Sequence, residues 1–213
     1  IIYSGGIIQV PEVAPTIQSA VDISVDGDTI IVNNGTYYEN VYVDKQLTFL
    51  SVEGADSTII DGNGSNGIEI EAGNPGSIDG FTFTNCGSGM YINQSGTYFI
   101  NNCKYSNNAR GLTSHARTEI SISNTLFENN LEYGLLQAYY GYDCLIVNCT
   151  FDNVTDILFA PGYGTTVGLD IYNSIFTGQI NGNELNPVNL YYCDYVDGNL
   201  GTNVNTIVGN ITG

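Results

Sequence analysis

The sequence has very few cationic residues. Lysine and arginine together number 4, against 22 aspartate and glutamate residues, and the formal net charge at pH 7 is −18. A surface with this charge repels polyanions, which excludes nucleic acid as a partner. The same negative surface charge makes acidic polysaccharides and anionic membranes less favoured as partners, although the argument is weaker for them. Aromatic residues make up 11% of the chain, so it is not a disordered acidic tail.

Long apolar runs are missing as well. No run of the sequence approaches the roughly 18 apolar residues that a membrane-spanning helix requires. The first residues carry no basic region ahead of an apolar segment, so any signal peptide is expected to be absent already. We therefore expect no membrane span.

Cysteine is sparse and odd in number, with 5 residues in the chain. An odd number cannot pair completely, and the spacing matches no zinc-site pattern. The positions are Cys86, Cys103, Cys144, Cys149 and Cys193. At this point the cysteines could either form disulfides or be buried free thiols, and the repeat described next decides between these two possibilities.

An internal repeat dominates what is present. Its common form is apolar–x–Asn–small–x–aromatic, as in FINNCKY (99–105), SISNTLF (121–127), LIVNCTF (145–151) and DIYNSIF (170–176), and more loosely in LYYCDY (190–195). The asparagines of this pattern are Asn102, Asn124, Asn148 and Asn173, at successive steps of 22, 24 and 25 residues. A fixed period of this length is typical of solenoid architectures.

A second register follows the first. Gly-apolar pairs recur at steps of 22, 22 and 23 residues, at Gly67-Ile68, Gly89-Met90, Gly111-Leu112 and Gly134-Leu135. Asparagine and glycine tolerate the left-handed conformation of sharp corners, and asparagines stacked at the ~4.8 Å strand spacing hydrogen-bond along a ladder. We therefore predict an all-β, right-handed, single-stranded parallel β-helix with Asn102, Asn124, Asn148 and Asn173 as its structural ladder.

The repeat also assigns the cysteines. Cys103, Cys149 and Cys193 fall in an inward column of small residues that includes Thr125. Because Thr125 separates Cys103 from Cys149, these two lie about two strand spacings apart, which is too far for a disulfide. We predict buried free thiols.

The first sixty residues differ from the coils. The stretch 15–24, PTIQSAVDIS, combines an early proline with an apolar stripe at helical spacing, which predicts a short capping helix. An exposed solenoid end leaves strand edges unpaired, and a helix covers them. We predict one domain, 1–213, with an N-terminal extension at 1–9 and coils over 28–213.

The run VPEVAPTIQSAVDISVDGDTIIVNNGTYYENVYVDKQLTFLSVEGADSTIIDG (10–62) resembles the N-terminal cap and first coils of pectin-lyase-like β-helix proteins. The I–x–N–x–x–F pattern of the later coils is similar to the repeats of the same superfamily. The group includes polysaccharide lyases, pectin methylesterases and many surface proteins. The resemblance implies the fold and leaves the activity open.

Lyases of this group use an arginine or lysine base, often with calcium held by acidic residues. The resemblance therefore makes Arg110, His115 and Arg117 weak catalytic candidates, and the alternative is a solvated turn. The methylesterase pattern needs a tryptophan, and the chain has none. The Asp-Asp pair of related hydrolases is also missing from the sequence.

Tyrosines recur beside the histidine. The candidate ligand-binding tyrosines follow the same strand in successive coils, beside His115 and Arg117; they are Tyr91, Tyr139, Tyr140, Tyr142 and Tyr163. Aromatic rings with polar neighbours are common in sugar-binding surfaces, although tyrosine also covers core edges. The loop DGNGSNGIE (61–69) partly resembles a calcium site, but Ala72 stands where the closing glutamate belongs. We therefore expect a turn and no cofactor, and calcium is the less favoured alternative.

Both ends of the chain bear on assembly. The leading Ile1, Ile2 and Tyr3 are apolar, and the last residues, NTIVGNITG, alternate without a closing helix. We expect either that the chain is a fragment of a longer protein or that a neighbouring molecule covers this end. We hypothesise head-to-tail self-association, which makes filaments or sheets when it does not close. The preferred function is a non-catalytic structural or adhesive protein of the extracellular cell surface, self-assembling or binding an extracellular polysaccharide. The alternative is a polysaccharide lyase.

Overall fold

The chain winds through short strands that belong to three parallel sheets. The computed structural model describes residues 5–71, 76–138, 144–153, 155–160, 168–182, 187–196 and 200–212. A typical coil contributes one strand to sheet A, the next to sheet B and the third to sheet C. Successive coils stack their equivalent strands in parallel register, as Tyr98–Ile120 and Tyr105–Phe127 illustrate. This arrangement confirms the predicted parallel β-helix.

Each sheet runs along the solenoid, and its strands follow one another in chain order. Sheet A comprises Ile7–Val10, Thr29–Val32, Thr48–Ser51, Gly76–Asp79, Gly96–Asn101, Thr118–Ser123, Cys144–Val147, Leu169–Tyr172, Val188–Tyr191 and Val204–Val208. Sheet B comprises Gly35–Tyr38, Thr58–Asp61, Thr82–Thr84, Lys104–Ser106, Leu126–Glu128, Thr150–Asp152, Ile175–Phe176, Asp194–Tyr195 and Ile211–Thr212. Sheet C comprises Val41–Val43, Ile68–Ile70, Ser88–Ile92, Arg110–Ser114, Tyr133–Ala138, Thr155–Ala160 and Gln179–Asn181.

The core contains a continuous stack of aromatic rings behind sheet B. The rings are parallel to within 14°, with centroids 4.6–5.0 Å apart, and they belong to Phe83, Tyr105, Phe127, Phe151 and Phe176. Ring spacing matches strand spacing, so each coil adds one ring to the stack. The recurring glycines make room for it. A Cβ at Gly89 would lie 2.6 Å from Tyr105 Cδ1, and one at Gly111 would lie 2.8 Å from Phe127 Cδ1.

The predicted asparagine ladder lies at the exposed corner between sheets A and B. Its four members, Asn102, Asn124, Asn148 and Asn173, have φ angles of 50–55°, in the left-handed region. The Asn124 Nδ2 donates to Asn102 Oδ1 at 3.3 Å, and the Asn148 Nδ2 donates to Asn124 Oδ1 at 3.4 Å. The corner therefore depends on the backbone conformation that asparagine tolerates, with long side-chain hydrogen bonds added.

A second amide ladder runs inside the helix and was not predicted. The buried Asn108 Nδ2 donates to Asn130 Oδ1 at 3.1 Å, and the Asn130 Nδ2 donates to Asn153 Oδ1 at 3.1 Å. The ladder ends on Asp156, which is 0% exposed and accepts from the backbone N–H groups of Asn153 and Gly178. Burial raises the pKa of Asp156 to about 6, although these hydrogen bonds act in the opposite direction.

All five cysteines are free and buried, as predicted. In the small inward column each thiol or hydroxyl donates to the carbonyl two residues earlier. The Cys103 Sγ reaches Asn101 O at 3.1 Å, and the Thr125 Oγ1 reaches Ser123 O at 2.9 Å. The column therefore selects for a small side chain that carries a hydrogen-bond donor, which cysteine, serine and threonine all supply. Burial raises the pKa of Cys149 to about 11.

The capping helix spans Ile17–Ile23, with Thr16 as N-cap and Ile17, Ala20 and Val21 buried. Its N–H groups at Ile17 and Gln18 donate to the two carboxylate oxygens of Glu39, at 3.0 and 2.9 Å. At the other end the Lys45 Nζ donates to Val21 O at 2.7 Å. The negative charge of Glu39 lies at the positive N-terminal end of the helix dipole, and the positive charge of Lys45 lies at its negative C-terminal end. Both side chains also bind backbone N–H or C=O groups that have no partner within the helix.

The Gln18 side chain also hydrogen-bonds to the edge strand of sheet C. Its Oε1 accepts from the Tyr42 backbone N–H at 2.7 Å, and its Nε2 donates to the Tyr42 carbonyl at 3.3 Å. The strand Val41–Val43 is the edge of sheet C in the described chain. The amide side chain thus takes the place of a neighbouring strand and blunts this edge.

Candidate functional site

The candidate site lies on the outer face of sheet C. Along its strands the apolar side chains point inward and the intervening residue points outward, because successive side chains of a strand alternate. Tyr42, Glu69 and Tyr91 are such outward residues, and they pair in register from coil to coil. Thr113 continues this row after Tyr91 but is buried.

The structure brings two of the predicted residues into contact. The Tyr91 hydroxyl lies 3.3 Å from His115 Nδ1, and the two rings meet edge to face with centroids 5.3 Å apart. His115 directly follows the strand Arg110–Ser114, and its backbone N–H donates to Ile92 O at 2.9 Å. This backbone bond places the imidazole beside the Tyr91 side chain of the preceding coil.

Both groups have shifted pKa values. Partial burial, assisted by the nearby Arg110 charge, lowers the pKa of His115, which favours the neutral imidazole at pH 7. Partial burial also raises the pKa of Tyr91, and the carboxylates of Glu69 and Glu71 add to this effect. The pair thus offers a hydroxyl and a neutral ring, both of which can exchange hydrogen bonds with a ligand hydroxyl.

The two arginine candidates precede and follow His115 in the chain. Arg110 begins the strand that His115 follows, and its Nε donates to Glu132 Oε2 at 2.7 Å. Arg117 lies in the turn after His115 and lines a shallow depression of about 320 Å³ with Ser95, Gly96, Thr97 and Glu119. Arg110 thus pairs with Glu132 while its charge still acts on His115, and Arg117 lies two residues beyond His115 in the chain. The catalytic role of Arg110, His115 and Arg117 stays a prediction.

Several predicted residues lie outside the described part of the chain. These are Tyr139, Tyr140, Tyr142 and Tyr163 of the binding face, and Ile1, Ile2 and Tyr3 of the assembly hypothesis. Their roles stay predictions. Sequence reasoning missed Tyr42 and Glu69, which lie in the same outward row as Tyr91. The signal for them was present, because VYV (41–43) and IEI (68–70) both alternate apolar and polar or aromatic residues.

The loop 61–69 folds as a turn. Asn63 and Gly64 have φ angles of 48° and 86°, and the Asn63 N–H donates to Asp61 Oδ1 at 2.9 Å. The same oxygen accepts from Asn85 Nδ2 at 3.0 Å, so Asp61 is used within the turn and between coils. Among the described residues no three histidine, cysteine or acidic side chains are grouped as a metal site.

Comparisons with known proteins place the chain in a family. The model of the right handed beta helix region matches residues 19–212, so the chain belongs to the right-handed β-helix family. This establishes the handedness and supports the predicted pectin-lyase-like superfamily. No curated protein sequence matches the chain significantly. No helix in the described chain has the length and apolar character needed to cross a bilayer.

Solved structures that superpose on the chain include a pectate lyase and pectin methylesterases. The pectate lyase Pel9A superposes with a TM-score of 0.61 at 14% identity, over 84% of this chain and 57% of the lyase. A pectin methylesterase from Aspergillus niger gives 0.59 at 12% identity, over 99% and 83% of the two chains. The carrot pectin methylesterase gives 0.52 at 12%, over 100% and 89%. At these identities the likeness establishes the fold, and the chain spans little more than half of Pel9A.

Proposed function

We propose that the chain is a non-catalytic, extracellular polysaccharide-binding protein of the cell surface, with Tyr91 and His115 at the centre of its binding face. The contact between the Tyr91 hydroxyl and His115 Nδ1, at 3.3 Å on the outer face of sheet C, carries the proposal. An aromatic side chain held in place by a polar partner is a common element of sugar-binding surfaces.

Two further observations support a carbohydrate ligand. The outward row on sheet C alternates tyrosine with a carboxylate, since Glu69 pairs with Tyr42 on one side and Tyr91 on the other. Carboxylates accept hydrogen bonds from sugar hydroxyls, and tyrosine adds both a ring and a hydroxyl. Solved structures of this fold include a pectate lyase and pectin methylesterases, whose names refer to a polysaccharide.

One observation favours the alternative, a polysaccharide lyase. Because its pKa is lowered, His115 is neutral at pH 7 and can accept a proton, and it lies beside a tyrosine hydroxyl that can donate one. In that case the pair would act as base and acid in an elimination. Self-assembly through the chain ends is a separate proposal, which a measurement of solution mass against concentration would test.

The test of the main proposal is a binding assay on purified protein. Affinity electrophoresis against a panel of soluble polysaccharides should show retardation by at least one polymer. Tyr91→Ala and His115→Ala should abolish it, while Tyr38→Ala, which removes a 75% exposed tyrosine on sheet B, should not. Ultraviolet absorbance of unsaturated products, present in the wild type and lost in His115→Ala, would establish the lyase instead. No retardation by any polymer would overturn the binding proposal.

A further inference from the structure

A groove lies next to the Tyr91–His115 contact, toward the capping helix. Its volume is about 430 Å³, and it is lined by Asn40, Val41, Tyr42, Ser65, Asn66 and Glu69. The lining comes from two consecutive coils, at the place where sheet B leads into sheet C. Apart from Val41, each of these residues presents a polar side-chain group, so the groove is built for hydrogen bonding.

The polar groups of the groove are held in fixed positions. The Asn40 Nδ2 donates to Gly62 O at 2.8 Å and to Asn66 O at 2.9 Å, which fixes the amide plane across both coils. The Asn66 Nδ2 donates to Glu69 Oε2 at 3.0 Å and orients that carboxylate. Preorganised side chains lose little conformational entropy when a ligand binds.

Tyr42 forms one wall of the groove. Its side chain is 50% exposed, while the adjacent Val41 and Val43 are buried. The backbone of Tyr42 is held on both polar groups by the Gln18 side chain, at 2.7 and 3.3 Å. The ring is therefore a half-exposed aromatic surface on a rigid support, which suits contact with the apolar face of a sugar ring.

The charge of the groove decides which sugars fit. Glu69 is acidic, and the residues that line the groove include no lysine or arginine. Lys45 binds the helix carboxyl end, Lys104 pairs with Glu128 at 2.7 Å, and Arg110 pairs with Glu132 at 2.7 Å. A uronate carboxylate in the groove would thus meet Glu69 with no cation among the lining residues, within a chain of net charge −18.

We propose that this groove binds a neutral, hydroxyl-rich sugar unit and gives the protein a preference for uncharged over uronate polysaccharides. The inference rests on the proposed polysaccharide-binding function and names its ligand class. Tyr42 packs on the sugar ring, and Glu69 and the two asparagines hydrogen-bond to its hydroxyls. Tyr42 and Tyr91 lie two strand spacings apart, roughly 10 Å, so one glycan chain contacts both.

The test compares neutral and acidic polymers with matched variants. Isothermal titration calorimetry would use soluble β-glucan, mannan and galactan as neutral probes, and polygalacturonate and alginate as uronate probes. We expect at least one neutral probe to bind at least tenfold more tightly than either uronate. Tyr42→Ala should weaken that binding at least fivefold, and Tyr38→Ala should leave it unchanged. Glu69→Gln keeps the side-chain shape and removes the charge, so it should narrow the preference by strengthening uronate binding.

The outcomes separate the two proposals. If a neutral probe binds, and both Tyr91→Ala and Tyr42→Ala weaken it, both proposals stand. Equal or tighter uronate binding by the wild type overturns the neutral preference and leaves the polysaccharide-binding function in place. A loss on Tyr91→Ala with no change on Tyr42→Ala overturns the groove assignment. If no probe binds, both proposals fail. Thermal unfolding of each variant confirms that the comparison is made between folded proteins.

Discussion

The Cys149 backbone N–H donates to the Ser174 hydroxyl of the next coil at 3.1 Å, and both residues are buried. The same hydroxyl donates to the Tyr172 carbonyl at 2.9 Å. Ser174 therefore satisfies two backbone groups at once, one in its own coil and one in the coil before it. The small inward column thus links neighbouring coils and does more than fill space.

Ser174→Ala should destabilise the protein. The substitution leaves the buried Cys149 N–H without its acceptor, which costs about 1–3 kcal/mol in the free energy of unfolding. Ser174→Thr is the matched control, because Thr125 occupies the equivalent position two coils earlier. Urea denaturation of the three proteins measures the difference. Equal stability of the alanine and threonine variants would contradict the role assigned to this hydroxyl.

Tyr105→Phe should stabilise the protein. The Tyr105 hydroxyl is buried and has no hydrogen-bond partner among the described residues, while its ring stacks between Phe83 and Phe127. Removing an unsatisfied buried hydroxyl gains about 1 kcal/mol or more. Tyr98→Phe is the control, because the Tyr98 hydroxyl donates to Gln94 O at 3.0 Å and its removal should destabilise. Thermal unfolding should show a higher melting temperature for Tyr105→Phe and a lower one for Tyr98→Phe. A lower melting temperature in both variants would contradict the conclusion that the Tyr105 hydroxyl is unsatisfied.

Asp156 should make stability fall as pH rises from about 4 to about 6. Its pKa is raised from 3.8 to about 6 in the folded protein, so between these values the folded state binds the proton more readily than the unfolded state. The stabilising effect of the bound proton is complete below about pH 4 and is lost above about pH 6. A shift of this size corresponds to roughly 3 kcal/mol.

Asp156→Asn isolates that contribution from the other carboxylates. We expect the difference between wild-type and variant unfolding free energies, measured by urea denaturation from pH 3.5 to 7.5, to change across the window of pH 4–6 and to be flat above it. A difference that is constant with pH would show that Asp156 does not titrate in this range. The comparison needs only the pH dependence, so a constant penalty of the substitution does not affect it.

His115 should titrate below its ordinary pKa of 6.5. It is the single histidine of the chain, so its imidazole carbon-bound protons can be followed by NMR without assignment. Partial burial and the Arg110 charge both disfavour the imidazolium, and folding stability should therefore fall as pH drops through 6.5 toward the folded pKa. A measured pKa at or above 6.5 would contradict the effect assigned to partial burial and the Arg110 charge. Asn93→Ala, an exposed change that leaves both perturbing causes in place, should not alter the value.

Glu39→Ala should loosen the capping helix. Glu39 accepts the first-turn N–H groups of Ile17 and Gln18 on both oxygens, and their loss should lower the unfolding free energy by about 1–2 kcal/mol. Hydrogen exchange should then accelerate in Ile17–Ile23 and in the edge strand Val41–Val43 that Gln18 covers. The exposed Glu53→Ala serves as control and should leave both segments protected. Unchanged exchange in the Glu39 variant would argue against this cap.

The sequence was informative wherever each coil repeats one requirement. The corner asparagines Asn102 and Asn124 and the aromatic rings of Tyr105 and Phe127 recur at a fixed offset, because every coil must turn and fill the core at the same point. The inner ladder escaped prediction for a physical reason. In the Asn107-Asn108 and Asn129-Asn130 pairs the first residue takes positive φ and the second points inward, whereas in Asn101-Asn102 the second takes positive φ. The same Asn-Asn dipeptide therefore adopts two different backbone conformations, and the sequence alone does not distinguish them.

The candidate site was predictable in part. His115 follows Tyr91 by 24 residues, close to one coil, so the contact could be anticipated from the period. The pairing of Arg110 with Glu132 could not be predicted. It depends on which of many exposed carboxylates faces the guanidinium from the neighbouring coil. The groove could not be predicted for a similar reason, because its lining residues Asn40 and Asn66 belong to different coils and the sequence does not show that they come within hydrogen-bond distance.

The fit between glycine and ring sets a rule for lengthening this protein. The hydrogen at Gly89 leaves space for the Tyr105 ring of the following coil, and Gly111 does the same for Phe127. An inserted copy of a coil must therefore satisfy two conditions. Its aromatic ring must pack against a glycine of the preceding coil, and its own glycine must face the aromatic ring of the following coil. Copying whole 22-residue units preserves this match, and shifting the copied boundary between glycine and ring breaks it.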